Sequence, residues 1–67
     1  MGDIYEIRVM EEGRCIQLMN DSEKETAISS ARMFSCFFPT LSYEVWLAPV
    51  IGNAIKIAAF KGGEKLV

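Results

Sequence analysis

The chain has 67 residues, no histidine, nine acidic and seven basic side chains, and a net charge of −2. Its length leaves room for one domain, and such a domain buries only about 60% of the surface that its unfolded chain exposes, so a partner or self-association would add needed stability. The acidic balance disfavours non-specific nucleic-acid binding, which requires clustered Lys and Arg side chains. Two cysteines are too few for a disulfide framework, so we expect reduced thiols and a cytoplasmic location.

The sequence also predicts a soluble protein. Its longest nearly uncharged stretch, residues 33–54, contains Glu44, Pro39 and Pro49. Such a stretch cannot form a membrane-spanning helix of about 20 apolar residues.

The first third of the chain predicts a β-hairpin. Apolar and polar residues alternate over 4–10 and again over 15–19, with the polar turn Glu11-Glu12-Gly13-Arg14 between them. Uninterrupted alternation assigns one face of the hairpin to Tyr5, Ile7, Val9, Ile16 and Leu18 and the other face to Glu6, Arg8, Met10, Cys15, Gln17 and Met19.

A helix over about 23–38 follows. Ser22 and Glu25 have the spacing of a capping box, and Pro39 disfavours helical geometry at the residue before it. The apolar stripe expected to face the sheet is Ala27, Ala31, Phe34 and Phe38, with Met33, Cys36 and Phe37 at its flank or on the outer side.

The last third predicts a second hairpin, with strands over 41–48 and 54–61 and a tight turn at Gly52-Asn53. Gly62-Gly63 ends the second strand, and residues 64–67 form either a frayed tail or a short extra strand. Alternation places Leu41, Tyr43, Val45, Leu47, Ile55, Ile57 and Ala59 inward, and it places Glu44, Trp46, Lys56, Ala58 and Phe60 outward.

The element order indicates an α+β fold in a single domain, residues 1–67. We expect a two-layer ββαββ arrangement, in which one four-stranded sheet carries a single helix on one face. The other sheet face is then open to a partner.

The residues expected outside the core favour a non-enzymatic module that binds a protein stoichiometrically. Aromatic and methionine side chains are common at binding hot spots. The candidate protein-binding residues are Trp46, Phe60, Met19 and Met10 on the open sheet face and Phe37 and Met33 on the helix. A homodimer made by stacking two sheets would cover the same face.

Two other functions remain open. A single-stranded nucleic-acid binder would stack bases on the open face and neutralise phosphates there, using Trp46, Phe60, Lys56, Lys61, Arg8 and Arg14. The third possibility is a self-associating structural protein.

Catalysis and metal binding have little support in the sequence. The serines and cysteines lack a histidine base, and neither a metal-ligand spacing nor a cofactor motif is present. The acidic surface residues are explained by a solvated turn and a helix start, or alternatively by mimicry of nucleic-acid phosphates; they are Asp21, Glu23, Glu25, Glu11 and Glu12.

The element order, small size and acidic charge together are similar to those of small proteins encoded by phages and mobile elements. Anti-CRISPR inhibitors of host defence are among them. This resemblance extends over the whole chain and implies an inhibitor or adaptor that acts by stoichiometric binding.

Overall fold

The computed structural model describes residues 4–66. One helix lies on one face of an antiparallel sheet with the strand order β2-β1-β3-β4-β5. The elements are β1 (Ile4–Glu11), β2 (Arg14–Asp21), α1 (Lys24–Phe37), β3 (Ser42–Ala48), β4 (Ile55–Lys61) and β5 (Glu64–Lys65).

The predicted α+β fold with a single helix on an antiparallel sheet is confirmed. The predicted four-stranded sheet is wrong, because residues 64 and 65 pair with β4 as a fifth strand. The sequence left open whether residues 64–67 form a tail or a strand, and the last of them, Val67, lies outside the described residues. No helix of the described chain is long and apolar enough to cross a membrane.

The start of α1 differs from the predicted capping box. The N-cap residue is Glu23, whose backbone N–H donates to Asp21 Oδ1 at 2.9 Å, while Ser22 precedes the cap and is exposed. A capping box requires its serine at the N-cap position itself. The helix begins one residue too late for Ser22 to be its N-cap residue.

Small residues bring α1 close to the sheet. Ala27, Ala31 and Ser35 are completely buried at a spacing of four residues, and the Phe34 ring stacks on Tyr43 at 5.9 Å between centroids. Phe38, predicted to extend the buried stripe, is exposed because the helix ends at Phe37. Burial by the helix raises the pKa of the Tyr43 hydroxyl.

A β-bulge reverses the predicted faces in the outer part of the first hairpin. Glu12 and Gly13, both with positive φ, form the turn, and Met10 pairs with Cys15, but Val9 pairs with Gln17. Ile16 is therefore an extra residue without a partner on β1, and every residue after it changes face.

The consequence of this first bulge is a correction to two predictions. Met19, predicted on the open face, pairs with Ile7 and packs against the core on the helix side. Leu18, predicted inward, pairs with Arg8 on the open face and is half exposed.

A second bulge acts in the same way on the other hairpin. Trp46 pairs with Lys56, whereas Val45 pairs with Ala58, so Ile57 is the extra residue. Ala58 and Phe60 consequently point toward the helix, and Phe60 is only 2% exposed. The predicted placement of Phe60 on the open face is wrong.

The connection between β3 and β4 is one residue longer than the predicted strand bounds, 41–48 and 54–61, imply. It runs over residues 49–54, because β3 ends at Ala48 and β4 begins at Ile55. Val50 and Ile51 are strongly exposed in this loop.

Ser35 holds the last turn of the chain against the helix. Its buried hydroxyl donates to the Arg32 carbonyl at 2.7 Å and accepts the Gly63 N–H at 3.0 Å. Gly62 and Gly63, at φ values of 62° and 82°, form the turn into β5. This contact positions the fifth strand beside the C-terminal half of α1.

Replacing Phe60 with alanine should destabilise the protein by about 3 to 5 kcal/mol, since the change opens a cavity in the core. Phe37→Ala is the matched control: Phe37 is 68% exposed, and such a surface change should alter the free energy of unfolding by at most about 0.5 kcal/mol. Urea denaturation followed by circular dichroism measures both. Equal losses would contradict the inward placement of Phe60.

Gly63→Ala should destabilise more than Gly13→Ala. Both glycines have a φ near +80°, so both substitutions carry backbone strain, but a Cβ on Gly63 would lie 2.6 Å from Cys36 Sγ and a Cβ on Gly13 meets nothing within 4 Å. The excess should disappear when the substitution is made in a Cys36→Ala background. Thermal melts of the wild type, Gly63→Ala, Cys36→Ala and the double variant form a double-mutant cycle. If Gly63→Ala remains more destabilising than Gly13→Ala in the absence of the thiol, the clash with Cys36 is not the cause.

Candidate protein-binding surface

The open face of the sheet is organised around Trp46, the only tryptophan of the chain. Glu6 of β1 and Lys56 of β4 lie directly opposite it on either side, and Arg8 and Glu44 form the neighbouring pair. The antiparallel register therefore places two acids and two bases around one indole ring.

These side chains satisfy one another. The Arg8 guanidinium lies over the Trp46 ring at 4.0 Å from its centroid and donates to Glu6 Oε1 from both Nε and one terminal nitrogen, at 3.1 and 3.0 Å. The indole N–H donates to Glu44 Oε1 at 2.9 Å, and Lys56 Nζ lies 3.6 Å from Glu44 Oε2. Trp46 is thus half buried by its own neighbours.

This arrangement leaves little of the predicted stacking platform for nucleic-acid bases accessible. One of its two rings, Phe60, is in the core, and the other carries the Arg8 guanidinium on one face. Arg8 and Lys56 already pair with carboxylates. Lys61 and Arg14 are exposed, but Lys61 is the last residue of β4 and Arg14 the first of β2, so neither lies beside the indole.

The outer strand β2 carries two exposed apolar side chains, one on this face and one at the bulge. Leu18 and the bulge residue Ile16 are 58% and 50% exposed, and Met10, paired with Cys15, is half buried beside them. Ile16, Leu18 and Met10 are called the β2 strip below. Meanwhile the polar Gln17 faces the helix side.

The edge of β2 is long and accessible. In the described chain it is the outermost strand on its side, its eight residues include no proline, and all are exposed except the half-buried Met19 and Asp21. An edge strand of this kind presents a row of unpaired backbone N–H and C=O groups. The edge and the β2 strip adjoin each other and form one surface.

The structure does not bring all of the predicted binding residues together. Trp46 and Met10 lie on the open face, and Met19 and Phe60 pack on the helix side of the sheet. Met33 and Phe37 are exposed on α1, across the sheet from Trp46.

The predicted acidic surface is divided between the two ends of β2. Glu11 and Glu12 occupy or adjoin the first turn, whereas Asp21, Glu23 and Glu25 surround the start of α1. Among residues 4–66, no group of three or more side chains is suitably placed to hold a metal ion.

Sequence reasoning missed Ile16 and Leu18 as surface residues because it assumed a regular hairpin. It also missed Val50 and Ile51. Their signal was present: two β-branched residues between Pro49 and Gly52 have no room to form a strand, so exposure in a loop could have been expected.

Comparisons of the chain with protein-family models, curated proteins and solved structures give no match in any of the three.

Replacing Arg8 with alanine should uncover the Trp46 ring and shift its fluorescence emission to longer wavelength. The stability loss should be small, about 0.5 to 1 kcal/mol, as for an exposed cation–π pair. Arg14→Ala is the control, because Arg14 lies at the exposed start of β2. Identical spectra for both variants would contradict the stacking of Arg8 on the indole.

Proposed function

We propose that this protein is a non-enzymatic binding module that recognises another protein through the edge of β2 and the adjoining β2 strip. An extended segment of the partner adds to the sheet beside β2. Backbone hydrogen bonds to the edge provide affinity, and contacts with Ile16, Leu18 and Met10 provide selectivity.

The observation that carries the proposal is the face reversal in β2. Leu18 is exposed on the open face, the bulge residue Ile16 is exposed without a partner on β1, and Gln17 faces the helix side. A regular register would place Ile16 and Leu18 opposite Val9 and Ile7, so the bulge withdraws two large apolar residues from the core side. Departures from local consistency of this kind are expected where a surface serves a function.

The charge arrangement at the centre of the open face supports an ordered and pre-formed surface. Arg8 is directly opposite Leu18 in the register and is held by Glu6 and Trp46. Because these contacts already fix the arginine, little side-chain freedom is lost when a partner covers it.

The broader role that we propose is an inhibitor or adaptor of phage-like origin that acts in the cytoplasm, which the small size and acidic charge favour. Cys15 and Cys36 are both free and exposed, which suits a reducing compartment. A self-associating structural protein would use the same edge, with a second copy as the added strand.

Replacing Leu18 with lysine should abolish partner binding, because a charge would enter the centre of the apolar strip and a lysine on an edge opposes strand addition. Affinity capture from the native cell, followed by reconstitution with the purified partner, measures the loss. Ile51→Lys is the matched control, since Ile51 is 89% exposed in the loop far from β2 in sequence.

Hydrogen exchange of the reconstituted complex provides the decisive map. The backbone amides of β2 should be slowed in the complex. Unchanged binding by Leu18→Lys, or slowed exchange confined to α1, would contradict the proposed surface.

Sedimentation of the purified chain distinguishes a second copy of the chain from a different protein as the partner at the edge of β2. A dimer that Leu18→Lys dissociates identifies a second copy as the occupant of the edge. Titration with short single-stranded DNA and RNA, followed by Trp46 fluorescence, tests the nucleic-acid alternative; quenching that weakens steeply with salt would favour it.

A further inference from the structure

A groove lies on the opposite side of the molecule, between α1 and the strands β4 and β5. It has a volume of about 550 Å³, and its lining includes the apolar residues Ile28 and Ile57 together with Lys24, Arg32 and Lys65. This groove is distinct from the β2 surface, because β2 and β5 are the two opposite edges of the sheet.

The position of the basic residues follows from the fold. Lys24, Ile28 and Arg32 are four residues apart, so they form one row along the helix about 12 Å long. Lys65 pairs with Phe60 on the helix side of β5 and therefore faces the same groove.

The groove is cationic in an acidic protein. Glu25 is the one carboxylate in its lining, so three bases and one acid give it a local charge of +2, against −2 for the whole chain. Within residues 4–66 the ion pairs are Arg8 with Glu6 and Lys56 with Glu44. The three groove cations therefore have no acidic partner in the described chain.

We propose that this groove binds an extended acidic segment of a protein, with carboxylates toward Lys24, Arg32 and Lys65 and an apolar side chain against Ile28 and Ile57. Charge complementarity defines the chemistry of the occupant. Arg32 offers a planar fork that matches a carboxylate, and a segment of about four extended residues spans the 12 Å row.

The shape of the groove favours a peptide over a small molecule. Lys24, Arg32 and Lys65 are all exposed, so the groove is open along its rim. Sites for small molecules bury most of the ligand surface, which an open groove cannot do. An extended peptide can contact α1 on one side of the groove and β4 and β5 on the other.

The test is an NMR titration of the full chain at low salt with a five-residue capped peptide that carries glutamate at its first and fifth positions, leucine at its third and serine at its second and fourth, because alternate side chains of an extended segment share one face. Saturable shifts are expected for the amides of Ile28, Ile57 and Lys65, with binding that weakens as salt is added. The same peptide with glutamine in place of glutamate should bind at least tenfold more weakly.

Charge-matched variants locate the site. Arg32→Gln should weaken binding about fivefold and the Arg32→Gln/Lys65→Gln pair at least tenfold. Lys61→Gln removes an equal charge on the open face and should leave binding within twofold. Circular dichroism verifies that each variant is folded.

Three results would overturn the proposal. The first is equal weakening by Arg32→Gln and Lys61→Gln, and the second is equal binding of the glutamate and glutamine peptides. The third is an equal set of shifts with inorganic phosphate alone, which would define a small-anion site. None of these results depends on the Leu18 experiments, so the proposals for the groove and for the β2 surface are tested independently.

Discussion

One inserted residue in each hairpin determines which side chains this protein buries. Ile16 in the first hairpin and Ile57 in the second have no partner on the neighbouring strand, so the alternation of faces is reset at each point. In the second hairpin the reset moves Phe60 into the core beside Tyr43 and Val45. The helix can approach closely over this layer because it presents Ala27 and Ala31 there.

The bulge in the outer strand β2 moves a large apolar residue outward, whereas the bulge in β4 moves one inward. The bulge at Ile16 moves Leu18 away from the helix side and leaves Met19 as the residue that packs against the core. The sheet thus has the Phe60 side chain inward on β4 and the half-exposed Leu18 side chain outward on β2. The distribution of apolar residues between core and surface depends on both insertions together.

Local signals were sufficient for much of the fold. Alternation over residues 4–10 and 41–48 correctly assigned the faces of β1 and β3, as the burial of Ile7, Val9 and Val45 demonstrates. Pro39 indicated the end of the helix, since it disfavours helical geometry at Phe38. These features depend on residues close together in the chain, which a sequence displays directly.

The faces of β2 and β4 could not be read in the same way. The bulge at Ile57 decides whether Phe60 or Ala59 faces the helix, and alternation alone does not show where a bulge falls. Half of the candidate surface was affected: Trp46 and Met10 were placed on the correct face, whereas Phe60 and Met19 were not. The ring of charged neighbours around Trp46 likewise required the cross-strand register of three strands.

The unequal edges of the sheet limit how this protein can assemble. One edge is an eight-residue strand, and the other is a two-residue strand whose helix-side residue is Lys65. A sheet with two adhesive edges grows without end, as fibres do, whereas a sheet with one adhesive edge stops after a single junction. If a strand adds to β2 as proposed above, the two-residue strand β5 at the other edge offers little for a further strand to pair with, and the assembly would end at that one junction.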